Sequence, residues 1–207
     1  MNRRERRRQL KQQKQAARQS GGQVQAEAPH LAANPTSVAP SAKAGRWIDE
    51  GNAWAGQGRL AKAEKAYRRA LRAQPDYAEA LSNLGSVLQA GGKLAEAEEA
   101  YRQALALATG NLAITGNLGV VLDHQGKREA AEECYRVVLE SDPANPAILG
   151  NLAALLSDSG RNDEAQATLA GVLEIEPENA KGHARMARLQ LADGDAEAAL
   201  ASARRAL

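Results

Sequence analysis

The stretch Ala78–Asn111 reads AEALSNLGSVLQAGGKLAEAEEAYRQALALATGN, and its 34 residues are the period of most of the chain. Gly85 has counterparts at Gly51 and Gly119, and Ala97 recurs as Ala63, Ala131, Ala165 and Ala199. A fixed period of about 20–50 residues marks stacked repeats, in which each unit buries its apolar face only against its neighbours. Positions 1 to 34 are numbered here from Ala44, Ala78, Leu112, Pro146 and Ala180.

Two sets of positions carry the apolar residues. Position 4 offers Trp47, Leu81, Thr115, Leu149 and His183, and position 11 offers Trp54, Leu88, Leu122, Leu156 and Gln190. Position 8 is small, as Gly51, Gly85, Gly119, Ala153 and Ala187. With position 7 these have the i, i+3, i+4, i+7 spacing of a helix face. Positions 20, 24, 27 and 28 repeat that spacing, with Tyr67, Tyr101 and Tyr135 at 24 and leucine throughout at 28. Between the sets lie Gly58, Gly92, Gly126, Gly160 and Gly194 at position 15, where glycine supplies a helix cap and a tight turn. Pro75, Pro143 and Pro177 at position 32 end the second helix, and Thr109 stands there in the second repeat. Each repeat is expected to be helix, turn, helix.

Composition narrows the rest. Aromatic content is 3% with no Phe, low for a globular core, and the alanine-rich segments suit close-packed helices. No apolar run approaches the roughly 18 residues of a bilayer span. One cysteine, Cys134, excludes an intrachain disulfide framework and suits a reducing, cytoplasmic compartment. The net charge of +2 conceals an asymmetry: residues 1–19 hold eight Arg or Lys and one acid, +7, so the remainder carries −5. Residues 1–19 read as a basic disordered tail. No apolar segment follows to make a signal peptide. Residues 20–43, with Gly21, Gly22, Pro29, Pro35 and Pro40, read as a flexible linker.

These residues resemble the tetratricopeptide repeat family. Trp47, Gly51, Trp54, Ala63, Tyr67, Ala70 and Pro75 meet that family's pattern nearly in full, and the second and third repeats also match well. The fourth and fifth depart, with Leu169 and Ala203 where tyrosine is usual. The resemblance covers residues 44–207 as repeats 44–77, 78–111, 112–145, 146–179 and an incomplete 180–207. It implies an all-α, right-handed superhelical solenoid whose concave groove is lined by the first helix of each repeat. Glu50 occupies position 7, where later repeats carry Leu84, Leu118, Leu152 and Met186, and so suits a first repeat without an outer neighbour. The alanine-rich final helix leaves its stacking face open, which suits a piece of a longer protein.

No catalytic constellation is visible. His30, His124 and His183 are scattered, and no His, Cys or Asp group has metal-ligand spacing. Cys134 follows Glu132 and Glu133, which oppose a reactive thiolate. Gly91-Gly92 lacks the Lys-Ser or Lys-Thr of a phosphate loop, and the glutamates of the second helices read as solvated faces. The expectation is a non-enzymatic chain with no cofactor and no small-molecule substrate.

The candidate contacts are Asn83, Asn117 and Asn151, all at position 6, which the period sets in a row. An asparagine amide donates and accepts, so a row of them can grip a peptide backbone with little regard for its sequence. The row resembles the asparagine ladder in the repeat domain of protein O-linked N-acetylglucosamine transferases, with Asp49 and Arg185 at its ends. Chaperone-binding members of the family use a carboxylate clamp instead. Asn151, Lys181 and Arg185 match half of it, but Gly116 and Val120 stand where its Lys and Asn belong. Lys181, Arg185 and Arg188 then form a basic groove end suited to acidic peptide. Three functions remain open: a scaffold binding an extended or helical protein segment, the substrate-recruiting part of a larger glycosyltransferase, or an adaptor. The adaptor would dock on anionic membrane or nucleic acid through Arg3, Arg4, Arg6, Arg7 and Arg8.

Overall fold

The computed structural model describes residues 40–207, so the expected tail and residues 20–39 of the expected linker lie outside the described residues. Ten helices occur among the described residues: α1 Ala42–Gly56, α2 Leu60–Ala73, α3 Ala78–Ala90, α4 Leu94–Leu107, α5 Leu112–His124, α6 Arg128–Ser141, α7 Pro146–Asp158, α8 Asn162–Ile175, α9 Ala180–Ala192 and α10 Ala196–Arg205. No strand is present among them. Each first helix packs on the second helix of its own pair, and each second helix on the first helix of the next pair. The result is an all-α repeat solenoid. None of these helices is long and apolar enough to cross a membrane.

Local chemistry sets the helix ends. Helix α1 starts two residues ahead of Ala44 because the Ser41 hydroxyl accepts the Ala44 amide at 3.3 Å. Asn111, Asn145 and Asn179 close later first helices, their side-chain oxygens accepting the amides of Ile114, Ile148 and Gly182 at 3.1, 3.1 and 2.8 Å. Such caps satisfy amides that have no partner within the helix. At the turn between paired helices, the glycine at position 15 takes φ of 70° to 85° in all five repeats. That lets the next amide reach back to the carbonyl of position 11: Arg59, Lys93, Lys127, Arg161 and Asp195 donate to Trp54, Leu88, Leu122, Leu156 and Gln190, each at 2.9 Å. This is the Schellman closure that glycine favours.

The core runs through every junction. Leu88, Leu122 and Leu156 are each 2% exposed, and each buried leucine contributes about 1.5–3 kcal/mol. Tyr67, Tyr101 and Tyr135 lie over Gly51, Gly85 and Gly119, so close that an added Cβ would stand 2.5, 2.9 and 2.8 Å from their rings. Where the tyrosine gives way to Leu169 or Ala203, the facing glycine is Ala153 or Ala187. Ring and missing methyl are one steric arrangement. First helices also touch along the array, α1 to α3, α3 to α5 and α5 to α7, whereas second helices do not approach one another comparably. The first helices therefore form the more closely packed layer.

Candidate functional site

On each first helix, positions 2, 6 and 9 share one stripe, because their spacing of four and three follows the helical period. Position 6 presents Asp49, Asn83, Asn117, Asn151 and Arg185 in succession along α1, α3, α5, α7 and α9. The three amides differ in freedom. Asn83 Nδ2 donates to Asn52 Oδ1 at 3.2 Å, and the same oxygen accepts the Tyr67 hydroxyl at 2.6 Å. The first amide thus ties repeat one to repeat two. Asn117 and Asn151 are half-buried, and their side-chain amides hydrogen-bond to no other described residue.

The basic end is exposed. Arg185 Nη1 donates to the Gly150 carbonyl at 2.7 Å, which sets the guanidinium beside Asn151. Lys181 and Arg188 stand one turn either side of Arg185, exposed and outside every ion pair of the described residues. Gly116 is buried and Val120 half-buried, so the third repeat supplies neither base nor amide for the missing half of the clamp. Arg3, Arg4, Arg6, Arg7 and Arg8 lie outside the described residues.

Most glutamates of the second helices are exposed as expected, but those at position 21 depart from a solvated face. Glu98 and Glu132 are buried, at 7% and 9% exposure. Each is gripped from two sides. Lys127 Nζ lies 2.7 Å and Arg102 Nη2 2.9 Å from Glu98, while Arg161 lies 2.8 Å from Glu132, which also pairs with Arg136. Glu64 meets Lys93 at 2.9 Å and Arg68 at 3.0 Å in the same manner. In each case position 21 of one repeat bonds position 16 of the next. Lys93 and Lys127 hold the Glu64 and Glu98 carboxyls below the usual carboxylate range through their hydrogen bonds, against the opposing effect of burial. The ladder ends at the fourth junction, where Gln166 replaces the glutamate and Asp195 the base, and Gln166 bonds Asp193 instead. The sequence carried this signal as two rows of opposite charge recurring every 34 residues.

Other candidate groups have structural surroundings. His183 is buried, its Nε2 2.8 Å from the Pro177 carbonyl. Burial, and then Glu133, push the Cys134 thiol up. No His, Cys, Asp and Glu group of metal-binding geometry occurs among the described residues. A cleft of about 620 Å³ lies between α2 and α4, floored by Leu81, Leu84 and Leu88 of α3. A cleft of about 470 Å³ occupies the equivalent place three repeats on, over α9.

The tetratricopeptide repeat profiles match residues 51–110, 76–144, 134–189 and 156–207 of the chain. No curated protein sequence matches it. Among solved structures, MamA (residue 41 to the end) from Desulfovibrio magneticus RS-1 superposes with a TM-score of 0.76 at 17% identity, covering 81% of this chain and 95% of that one. PilF of Pseudomonas aeruginosa gives 0.70 at 22% identity, with coverage of 79% and 75%. YrrB, described as a TPR protein with an unusual peptide-binding site, gives 0.65 at 22% identity, with coverage of 77% and 82%.

Proposed function

Because the chain belongs to the tetratricopeptide repeat family, we propose that it is a non-enzymatic interaction scaffold whose first helices hold an extended segment of another protein. The observation that carries this reading is the pair of free amides, Asn117 and Asn151, at the same register position on adjacent first helices. A half-buried amide without a protein partner keeps a donor and an acceptor available, which is what each peptide unit of an extended chain needs. Asn83 belongs to the same row but serves the junction between repeats through Asn52. It is a weaker contributor to binding than its position suggests. Likeness to YrrB supports the reading at the level of fold, since that protein is described as having a peptide-binding site.

The test uses the full chain on an array of random peptides of about 12 residues, a length that spans the row when extended. Peptides that bind the unaltered protein should lose binding to the Asn117→Ala/Asn151→Ala variant, with circular dichroism unchanged. Asn83→Ala should reduce binding less and lower the unfolding midpoint. An unchanged set of bound peptides in the double variant would refute the role given to the two amides.

A further inference from the structure

Taking the first-helix face as the binding surface, the row of position 6 contains more than amides. It begins with an acid, Asp49, and ends with a base, Arg185. The rest of the stripe repeats that order. Position 2 carries Glu79 in the second repeat and Lys181 in the fifth, and position 9 carries Arg188 in the fifth. The third and fourth repeats bear no charge at any of these three positions. At positions 2, 6 and 9, therefore, the acids lie on α1 and α3 and the bases on α9.

These charges are unspent. None of the five takes part in an ion pair of the described residues. Glu79 accepts the Tyr77 hydroxyl at 2.7 Å and Arg185 donates to the Gly150 carbonyl, both neutral partners that leave the charge uncompensated. The contrast is with Glu64, Glu98 and Glu132, each neutralised by two bases. One acid, Asp158, shares the stripe at position 13 of α7. It lies about 10 Å further along its helix than Asn151, at 1.5 Å per residue, on the margin of the row.

Distance keeps the two ends independent. Four steps between neighbouring first helices, each about 8–10 Å, make the path along the row from α1 to α9 about 32–40 Å. That exceeds the screening length of about 8 Å at physiological ionic strength several times over. The acidic end cannot neutralise the basic end, and each acts on whatever part of a ligand lies over it. The same span corresponds to about 10–12 residues of extended chain.

We infer that the partner is an extended segment of about 10–12 residues with segregated charge, basic where it crosses α1 and α3, uncharged over α5 and α7, and acidic where it crosses α9. The charges fix the direction in which the segment lies, and the amides of Asn117 and Asn151 hold its uncharged middle. Complementary potentials of this kind set register and reject wrong partners more than they add affinity. A segment with the same charges intermixed places repelling groups over one end or both.

The experiment compares two synthetic peptides of about 12 residues and identical composition. One has its basic residues grouped at one end and its acidic residues at the other, and its isomer has the charges alternating. Each carries a photo-crosslinker at one terminus and is titrated against the full chain. The segregated peptide should bind at least about tenfold more tightly, since several exposed pairs of modest strength act together. That advantage should shrink with added salt. A crosslinker on its basic end should label α1 or α3, and one on its acidic end α9. The Lys181→Glu/Arg185→Glu/Arg188→Glu variant should abolish the preference. Equal affinity of the two peptides, with both crosslinking to first helices, would overturn the charge assignment and leave the groove reading intact. Crosslinks confined to second helices, or no binding by either peptide, would overturn both.

Discussion

Replacing Gly85 with Ala sets two opposed effects against each other on one methyl group. Alanine is the better helix former by about 1 kcal/mol. The new Cβ, however, would stand 2.9 Å from Tyr101 Cε1 and 3.0 Å from Cδ1 and Cζ. Comfortable carbon contacts are about 3.5–4.0 Å. The ring has no room to retreat, being 1% exposed, and its hydroxyl is held 2.9 Å from Ser86 Oγ. Overpacking costs about 1–3 kcal/mol, and loss of the hydroxyl contact adds about 1 kcal/mol. Set against the helix gain, the net destabilisation is about 1–3 kcal/mol. At about 2–4 °C per kcal/mol for a chain of this size, a fall in thermal midpoint of several degrees is expected. Gly150 supplies the control, since a Cβ there meets nothing within 4 Å. Gly150→Ala should therefore raise stability by up to about 1 kcal/mol. Urea and thermal unfolding followed by far-ultraviolet circular dichroism measure both variants. Midpoints that move in the same direction would refute the steric pairing of glycine and tyrosine.

Acid should weaken the array through Glu64 and Glu98, whose carboxyls Lys93 and Lys127 hold low. A folded pKa below the unfolded value of about 4.3 gives stability that is complete above that value and drains as pH falls through the lowered one. Urea midpoints across the acid range should drop accordingly, and Glu98→Gln should flatten the profile; an identical profile in that variant contradicts the assignment. Lys127→Ala should cost about 1 kcal/mol by leaving buried Glu98 with Arg102 as its one remaining ion-pair partner, while exposed Lys65→Ala should stay within about 0.5 kcal/mol, as equilibrium unfolding will show. Asn145→Ala should remove about 1 kcal/mol and speed amide exchange at Ile148, and Asn145→Ser should restore most of it.

The helix pairs were legible because three signals coincide in every repeat: small residues at positions 8 and 20, leucine at 28 and glycine at 15. Each acts within one repeat or on its immediate neighbour, so spacing alone exposes it. The burial of Glu98 and Glu132 was not legible. Composition marks a glutamate on an exposed-looking helix face as solvated, and only the stacking of one pair on the next brings Lys127 and Arg161 over those carboxyls. The Asn83–Asn52 contact escaped for the same reason, since it joins different register positions of adjacent first helices. Register predicts that equal positions form rows. It does not predict which row meets which other row across a junction.

The bond between position 21 and position 16 of the next repeat also makes the first three junctions interchangeable. Glu64, Glu98 and Glu132 meet Lys93, Lys127 and Arg161 across the same separation of 29 residues. Excising residues 78–111 would bring Lys127 opposite Glu64, and the joint would close on groups it already uses. A gene for such a chain can gain or lose whole units without inventing a new interface. What changes is the distance between Asp49 on α1 and Arg185 on α9, so under the proposed reading the number of units would be a ruler for the segment held between them.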